Sequence, residues 1–175
     1  MLNFALLFRN YGILLVTIGL FVVLAVTADG FATERNLRNI LDQQSMVIIA
    51  AAFMTIAIIS GNFDVSVSAI FVTAPLFGLK VENMTGNVFL AVVAAIAVGL
   101  IMGAINGFIV TRLKINSFIG TLATSFMFFG AGFLISSRSL MRPETDAYRL
   151  IARSRFLGLT SATWIAIAVV IIATI

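Results

Sequence analysis

The segment Ser60–Ser68 contains the residues of this chain that are best placed for chemistry inside a membrane. Asp64 is the only charged side chain between Asp42 and Lys80. A carboxylate at membrane depth is costly, and it usually faces a protein interior, a water-filled cavity or a membrane surface. Asp64 could line a transport path, or it could cap a helix that starts after it, and the two roles are compatible. The candidate path or helix-break residues are Ser60, Gly61, Asn62, Asp64 and Ser66.

A second pattern, Gly99-Leu-Ile-Met-Gly103-Ala-Ile-Asn-Gly107, indicates close packing of helices. Glycines four residues apart lie on one helix face and let another helix approach. Asn106 lies beside that face, and a buried amide in a membrane requires a hydrogen-bond partner. We therefore expect Gly99, Gly103, Asn106 and Gly107 to join helices, and contact of Asn106 with a substrate is the alternative.

The remaining residue inventory argues against an enzyme. The chain has no Cys and no His, which removes thiol nucleophiles, imidazole acid–base chemistry and the usual zinc sites. Its seven carboxylates show no paired spacing, and it has no Gly-rich phosphate loop ending in Gly-Lys-Ser/Thr. We expect no catalytic residue, no metal and no cofactor, and the basic residues between apolar runs suit lipid headgroups rather than nucleic acid.

Composition and hydropathy predict an all-α integral membrane protein. The 175 residues are 61% hydrophobic and only 10% charged, where a soluble domain has about 25% charged residues. We predict a multi-span bundle of about six transmembrane helices, with a helix break near residues 60–64 because the two runs around it are short. The first run is interpreted as a retained helix, with signal-peptide cleavage as the minor alternative, and the last one stops in mid-span, as in a partial sequence. The uncharged runs are Tyr11–Ala28, Ser45–Ser60, Val65–Leu79, Gly86–Thr111, Ser117–Ser136 and Ser161–Ile175.

The longest polar piece covers residues 137–158. Pro143 could open a short helix there, with Glu144 and Asp146 in its first turn, and Gly158 could close it. We interpret this piece as an interfacial loop helix, with a docking surface for a partner as the alternative.

The distribution of basic residues conflicts with a cytoplasmic N-terminus. With six spans and a cytoplasmic N-terminus, the inside segments hold only Arg9, Arg112 and Lys114, which contradicts the positive-inside tendency. The outside segments then hold Arg35, Arg38, Lys80, Arg138, Arg142, Arg149, Arg153 and Arg155.

Two blocks of this sequence resemble the ribose-type permeases of bacterial ABC importers. The first is Asn36-Leu-Arg-Asn-Ile-Leu, followed by an apolar run and Ser60-Gly-Asn-Phe-Asp-Val-Ser-Val-Ser68. The second runs from Gly103-Ala-Ile-Asn-Gly107 to Thr124. Asn62, Phe63 and Ser68 depart from the family's more usual pattern, which leaves the turn geometry and the substrate open.

The resemblance implies that residues 1–175 are the N-terminal part of a permease domain that has about ten spans in full family members. It implies a multi-pass protein of the bacterial cytoplasmic membrane that forms a sugar path with a second permease subunit. Separate ABC ATPase subunits would supply the energy, and an extracytoplasmic sugar-binding protein would deliver the substrate. An ion-coupled secondary transporter and a non-transporting membrane component are the alternatives.

Overall fold

The structure is a computed structural model that describes residues 4–174, and it describes the side chains of residues 6–148, 150 and 154–174. The chain forms two compact units that divide between Gln44 and Ser45. Seven helices and one two-stranded antiparallel hairpin make up the described part. They are α1 (Phe4–Thr27), α2 (Glu34–Ile59), α3 (Val67–Thr85), α4 (Val88–Thr111), α5 (Ser117–Ile135), α6 (Asp146–Arg153), β1 (Arg155–Phe156), β2 (Leu159–Thr160) and α7 (Ser161–Ala173).

The first unit contains α1, a turn and the polar start of α2. Gly30 takes a positive φ of 79° in the turn, and the Asn36 side chain donates to the Phe31 carbonyl at 2.8 Å. Glu34 and Arg38, one helical turn apart, form an ion pair. These local bonds explain why the helix α2 starts at Glu34, 11 residues before the apolar run that begins at Ser45.

The second unit is organised around α3, α4 and α5. Ala69, Met102 and Phe128 form its buried apolar centre, with one residue from each helix. The Thr73 hydroxyl donates to the Phe128 carbonyl at 2.9 Å, so α3 and α5 are also joined away from their ends. The beginnings of α3 and α5 lie at the same end of the unit, because Val65 bonds to Thr121 there.

The all-α membrane class is confirmed, but the number of spans is lower than expected. Four described helices are long and apolar enough to cross a membrane: α1 from Leu6, α2, α4 and α5. The α3 helix includes Lys80 and Glu82, and α7 has only 13 described residues, so neither qualifies. The prediction of a short second span was wrong as well, since α2 has 26 residues.

The break between α2 and α3 is present and covers residues 60–66. Gly61 has φ 78°, a left-handed conformation that glycine adopts without strain. Pro75 lies inside α3 and does not end it.

The loop helix differs from its prediction. It starts after Thr145, so neither Pro143 nor Glu144 belongs to α6. Gly158 does not close the helix; with Leu157 it makes the turn of the hairpin that follows.

Candidate functional site

The break segment is held in place by hydroxyl groups of α5. The Phe63 backbone N–H donates to Ser117 Oγ at 3.1 Å, and the Val65 N–H donates to Thr121 Oγ1 at 3.0 Å. Backbone amides that leave a helix in a membrane must find partners within the protein. The first turns of α5 therefore make the irregular backbone of residues 60–66 tolerable.

Asp64 is hydrogen-bonded to Ser66, the residue directly before α3. Its Oδ1 accepts the Ser66 N–H at 2.8 Å and the Ser66 hydroxyl at 2.6 Å. The N-cap of α3 is Ser66, not Asp64, and the Ser66 side chain makes no capping bond to the helix. Asp64 thus forms the turn that precedes the helix, which is an Asx-type bond to an amide two residues on.

Asn106 joins this turn to α4 and α5. Its Nδ2 donates to Ser66 Oγ at 2.5 Å, and its Oδ1 accepts the Thr124 hydroxyl at 2.6 Å. Ser66 is fully buried, while Asn106 and Thr124 are 5% and 2% exposed. We call the connected residues Asp64, Ser66, Asn106, Thr121 and Thr124 the polar seam.

Two of the other predicted residues do not take part in the polar seam. The Ser60 hydroxyl donates to the Ala57 carbonyl at 2.7 Å, and Asn62 Nδ2 donates to the Ser60 carbonyl at 3.2 Å. Both bonds are local, so Ser60 and Asn62 shape the turn.

Asp64 also lies at a groove between the second half of α2 and the start of α3. The groove has a volume of about 520 Å³, and of its lining residues only Asp64 and Ser68 are polar. The apolar lining comes from Met46, Val47, Ala50, Ala51, Met54, Val65, Val67 and Phe71. Asp64 therefore belongs both to the polar seam and to the lining of this groove.

The glycine pattern of α4 does not pack as expected within the described chain. A Cβ added at Gly103 or Gly107 would meet no atom within 4 Å, and one at Gly99 would make an ordinary 3.8 Å contact with Ala74. The closest helix approach is at Gly78 of α3, where an added Cβ would lie 2.6 Å from the Ala91 carbonyl oxygen. The point at which two helices come close depends here on how α3 crosses α4. The spacing of glycines within α4 does not predict that crossing.

Glu82 is a buried carboxylate whose role the sequence did not indicate. It is fully buried near the end of α3, where its carboxylate accepts the Thr145 N–H at 2.9 Å, the Thr145 hydroxyl and the Glu144 N–H. Asn83 adds a bond from its Nδ2 to the Arg142 carbonyl at 3.1 Å and accepts the Glu144 N–H. A carboxylate at the start of α6 also suits the helix dipole.

No local pattern could have revealed the bond between Glu82 and Thr145, because 63 residues separate them. The described residues contain no group of His, Cys, Asp and Glu that could hold a metal ion. What the site offers is therefore hydrogen-bonding and positioning chemistry.

Comparison with known proteins identifies the family to which this architecture belongs. The family model described as "Branched-chain amino acid transport system / permease component" matches residues 36–175. The chain belongs to this permease family. The helices and the relatives make this permease a multi-pass protein of the bacterial inner membrane.

Three of the curated relatives are permease proteins that are named for the transport or import of a sugar. The L-arabinose transport system permease protein AraH of Escherichia coli (strain K12) is 31% identical over 170 residues, which cover 97% of this chain and 52% of AraH. The ribose import permease protein RbsC of the same strain is 28% identical over 83% of this chain and 47% of RbsC. The fructose import permease protein FruG of Bifidobacterium longum (strain NCC 2705) is 31% identical over 64% of this chain and 33% of FruG.

The chain spans about half the length of the curated relatives AraH and RbsC. No solved structure matches it. The resemblance to sugar permeases of ABC importers, which two sequence blocks carried, is confirmed by these relatives.

Proposed function

We propose that this chain is the N-terminal part of the permease subunit of an ATP-driven bacterial sugar importer. The observation that carries the proposal is the alignment with the arabinose permease AraH over 97% of the chain. The polar seam supports it, because a broken helix held by side chains of its neighbours is how transporters present polar backbone in a membrane.

The importer would contain further subunits. Two permease subunits would form the path, two ATPase subunits would bind to the cytoplasmic side, and an extracytoplasmic binding protein would deliver the sugar. The chain has no phosphate-binding loop of its own, which supports an energy source in another chain. We propose accordingly that the permease itself is not an enzyme.

Within the path, the polar seam would hold the break segment rigid while Asp64 faces the groove. Ser60, Gly61 and Asn62 would shape the turn, and Ser66 would connect it to Asn106. A carboxylate accepts hydrogen bonds from hydroxyl groups, so Asp64 is chemically suited to guide a sugar past the break.

The proposal is tested by reconstituting the full-length subunit in proteoliposomes with its ATPase subunits and binding protein. We expect uptake of a labelled pentose or hexose that requires ATP and the binding protein, and that continues when an ionophore collapses ion gradients. Uptake without the ATPase that stops with the ionophore would establish an ion-coupled transporter instead. A correctly inserted complex that binds no ATPase and takes up none of the sugars offered would indicate a non-transporting component.

Two substitutions distinguish a role of Asp64 in transport from its role in the hydrogen bonds of the turn. Asp64→Asn keeps an oxygen that can accept from Ser66, so we expect normal assembly and an unchanged unfolding temperature in detergent. Asp64→Leu removes both bonds, and we expect it to destabilise the protein by about 1–3 kcal/mol.

Sugar uptake then decides the functional question. If Asp64 lies on the path as a charge, Asp64→Asn reduces uptake although the protein assembles normally. If Asp64→Asn transports at the native rate, Asp64 serves only the turn. The matched control is Thr55→Val, which changes an exposed residue of the neighbouring helix α2 whose hydroxyl donates to the Ala51 carbonyl of that helix.

A further inference from the structure

The hairpin from Arg155 to Thr160 carries apolar side chains where a soluble turn would carry polar ones. Phe156 and Leu157 are 68% and 74% exposed. Leu157 occupies a left-handed conformation with φ 50°, which costs free energy for a residue other than glycine, asparagine or aspartate. The contacts of Leu157 show no benefit to folding that would offset this strain. A benefit from surroundings outside the chain, such as lipid, would explain the leucine.

The hairpin is fixed to the first turn of the apolar helix α7. Trp164 Nε1 donates to the Phe156 carbonyl at 2.9 Å, and the two rings meet edge to face with centroids 6.0 Å apart. The Ser161 N–H also donates to the Ser154 carbonyl at 3.2 Å, which closes the base of the hairpin. Phe156 therefore lies beside the first turn of α7 instead of projecting away from it.

Where the apolar helix α7 enters the membrane, this attachment would place the hairpin at the depth of the interface. Trp164 is the fourth residue of α7, only about 5 Å along the axis from its start at a rise of about 1.5 Å per residue. The interfacial layer on each side of the hydrocarbon core is roughly 5–8 Å thick. Tryptophan and its aromatic neighbour are typical of this layer, where the ring is in apolar surroundings and the N–H is satisfied.

The basic residues that come before Phe156 suit the same environment. Arg149, Arg153 and Arg155 precede Phe156 in the sequence. Phospholipid phosphates attract basic side chains, and arginine next to aromatic and aliphatic residues is the composition of interfacial segments.

We propose that the hairpin Arg155–Thr160 is a membrane-interface anchor, which inserts Phe156 and Leu157 between phospholipid headgroups and acyl chains. The proposal commits to lipid as the occupant of this apolar tip. It does not depend on sugar transport, because it concerns the depth of a segment and not the path.

The experiment uses the absence of cysteine from the chain. Leu157→Cys provides a single site for a nitroxide spin label in protein embedded in phosphatidylcholine–phosphatidylglycerol nanodiscs. Glu144→Cys is the control, since Glu144 is an exposed charged residue of the preceding loop. The measurement is the collision rate of each label with oxygen, which concentrates in lipid, and with a water-soluble nickel chelate.

We expect the label at residue 157 to collide more with oxygen than with nickel, and the label at residue 144 to show the reverse order. If both labels favour nickel, the tip lies in water and the proposal is wrong. If the label at residue 157 is immobile and protected from both reagents, protein covers the tip, from a partner or a second copy, and the lipid proposal is also wrong. Phe156→Cys replaces Leu157→Cys should that variant fail to assemble, with the same outcomes.

Discussion

The Asn106 side chain lies in the middle of the polar seam and touches Ser66 on one side and Thr124 on the other. Its amide uses both of its chemical functions, a donor toward the break segment and an acceptor toward α5. The Thr124 hydroxyl has one hydrogen, and the bond to Asn106 at 2.6 Å is shorter than its contact with the Thr121 carbonyl at 3.1 Å. The seam is therefore a directed chain of bonds in which each member depends on the next.

This dependence predicts coupling between Asn106 and Thr124. We expect Asn106→Leu and Thr124→Val each to lower the free energy of unfolding by about 1 kcal/mol, with a coupling of roughly 0.6–1.7 kcal/mol in a double-mutant cycle. The measurement is unfolding in mixed micelles. Thr111→Val is the control, because that exposed hydroxyl donates only to the Gly107 carbonyl of its own helix. Additive effects of the pair would show that the bond between the two side chains contributes little.

Among the helices, the sequence predicts the ends that a nearby charged residue or a capping side chain marks. The runs Gly86–Thr111 and Ser117–Ser136 became α4 and α5 with shifts of one or two residues, since Asn87 and Asn116 cap them through their side chains. The start of α2 was missed because polar residues 34–44 continue the helix outside the apolar run. The contacts at Gly78 and Glu82 were missed because their partners come from other helices and loops.

Two glycine substitutions test whether the contacts of a glycine, and not its place in a GxxxG pattern, decide its effect on stability. Gly78→Ala would place a Cβ 2.6 Å from a backbone oxygen of α4, so we expect a loss of about 1–3 kcal/mol of stability from overpacking. Gly103→Ala meets open space, and because alanine favours a helix by up to about 1 kcal/mol over glycine, we expect no loss or a small gain. Thermal unfolding in detergent measures both variants. A loss at Gly103 equal to that at Gly78 would show that another surface covers this face of α4.

Across the second unit, α3 runs from the polar seam at its beginning to the segment that precedes α6 at its end. Its beginning is tied to the polar seam near the loop of Arg112 and Lys114, and its last turns hold the loop that leads into α6 through Glu82 and Asn83. Five of the seven arginines that contradict the positive-inside tendency belong to the polar piece 137–158, which includes the residues that Glu82 binds. A fixed loop is a better platform for a lipid surface or a protein partner than a mobile one, because less ordering is required on contact.

The rigidity of that loop leads to the last prediction. Glu82→Ala removes an acceptor of the Thr145 and Glu144 amides, and a buried donor that loses its partner costs about 1–3 kcal/mol. Since 1.4 kcal/mol corresponds to a factor of ten in an equilibrium, we expect trypsin to cleave after Arg138 and Arg149 about 10-fold faster in this variant, while the bond between Arg142 and Pro143 resists trypsin. Glu144→Ala is the matched control, because it removes an exposed carboxylate and keeps the backbone N–H that Glu82 binds. Equal cleavage rates for the two variants would show that Glu82 does not hold the loop, and faster exchange of amide hydrogens confined to residues 142–153 in Glu82→Ala would locate the release at the start of α6.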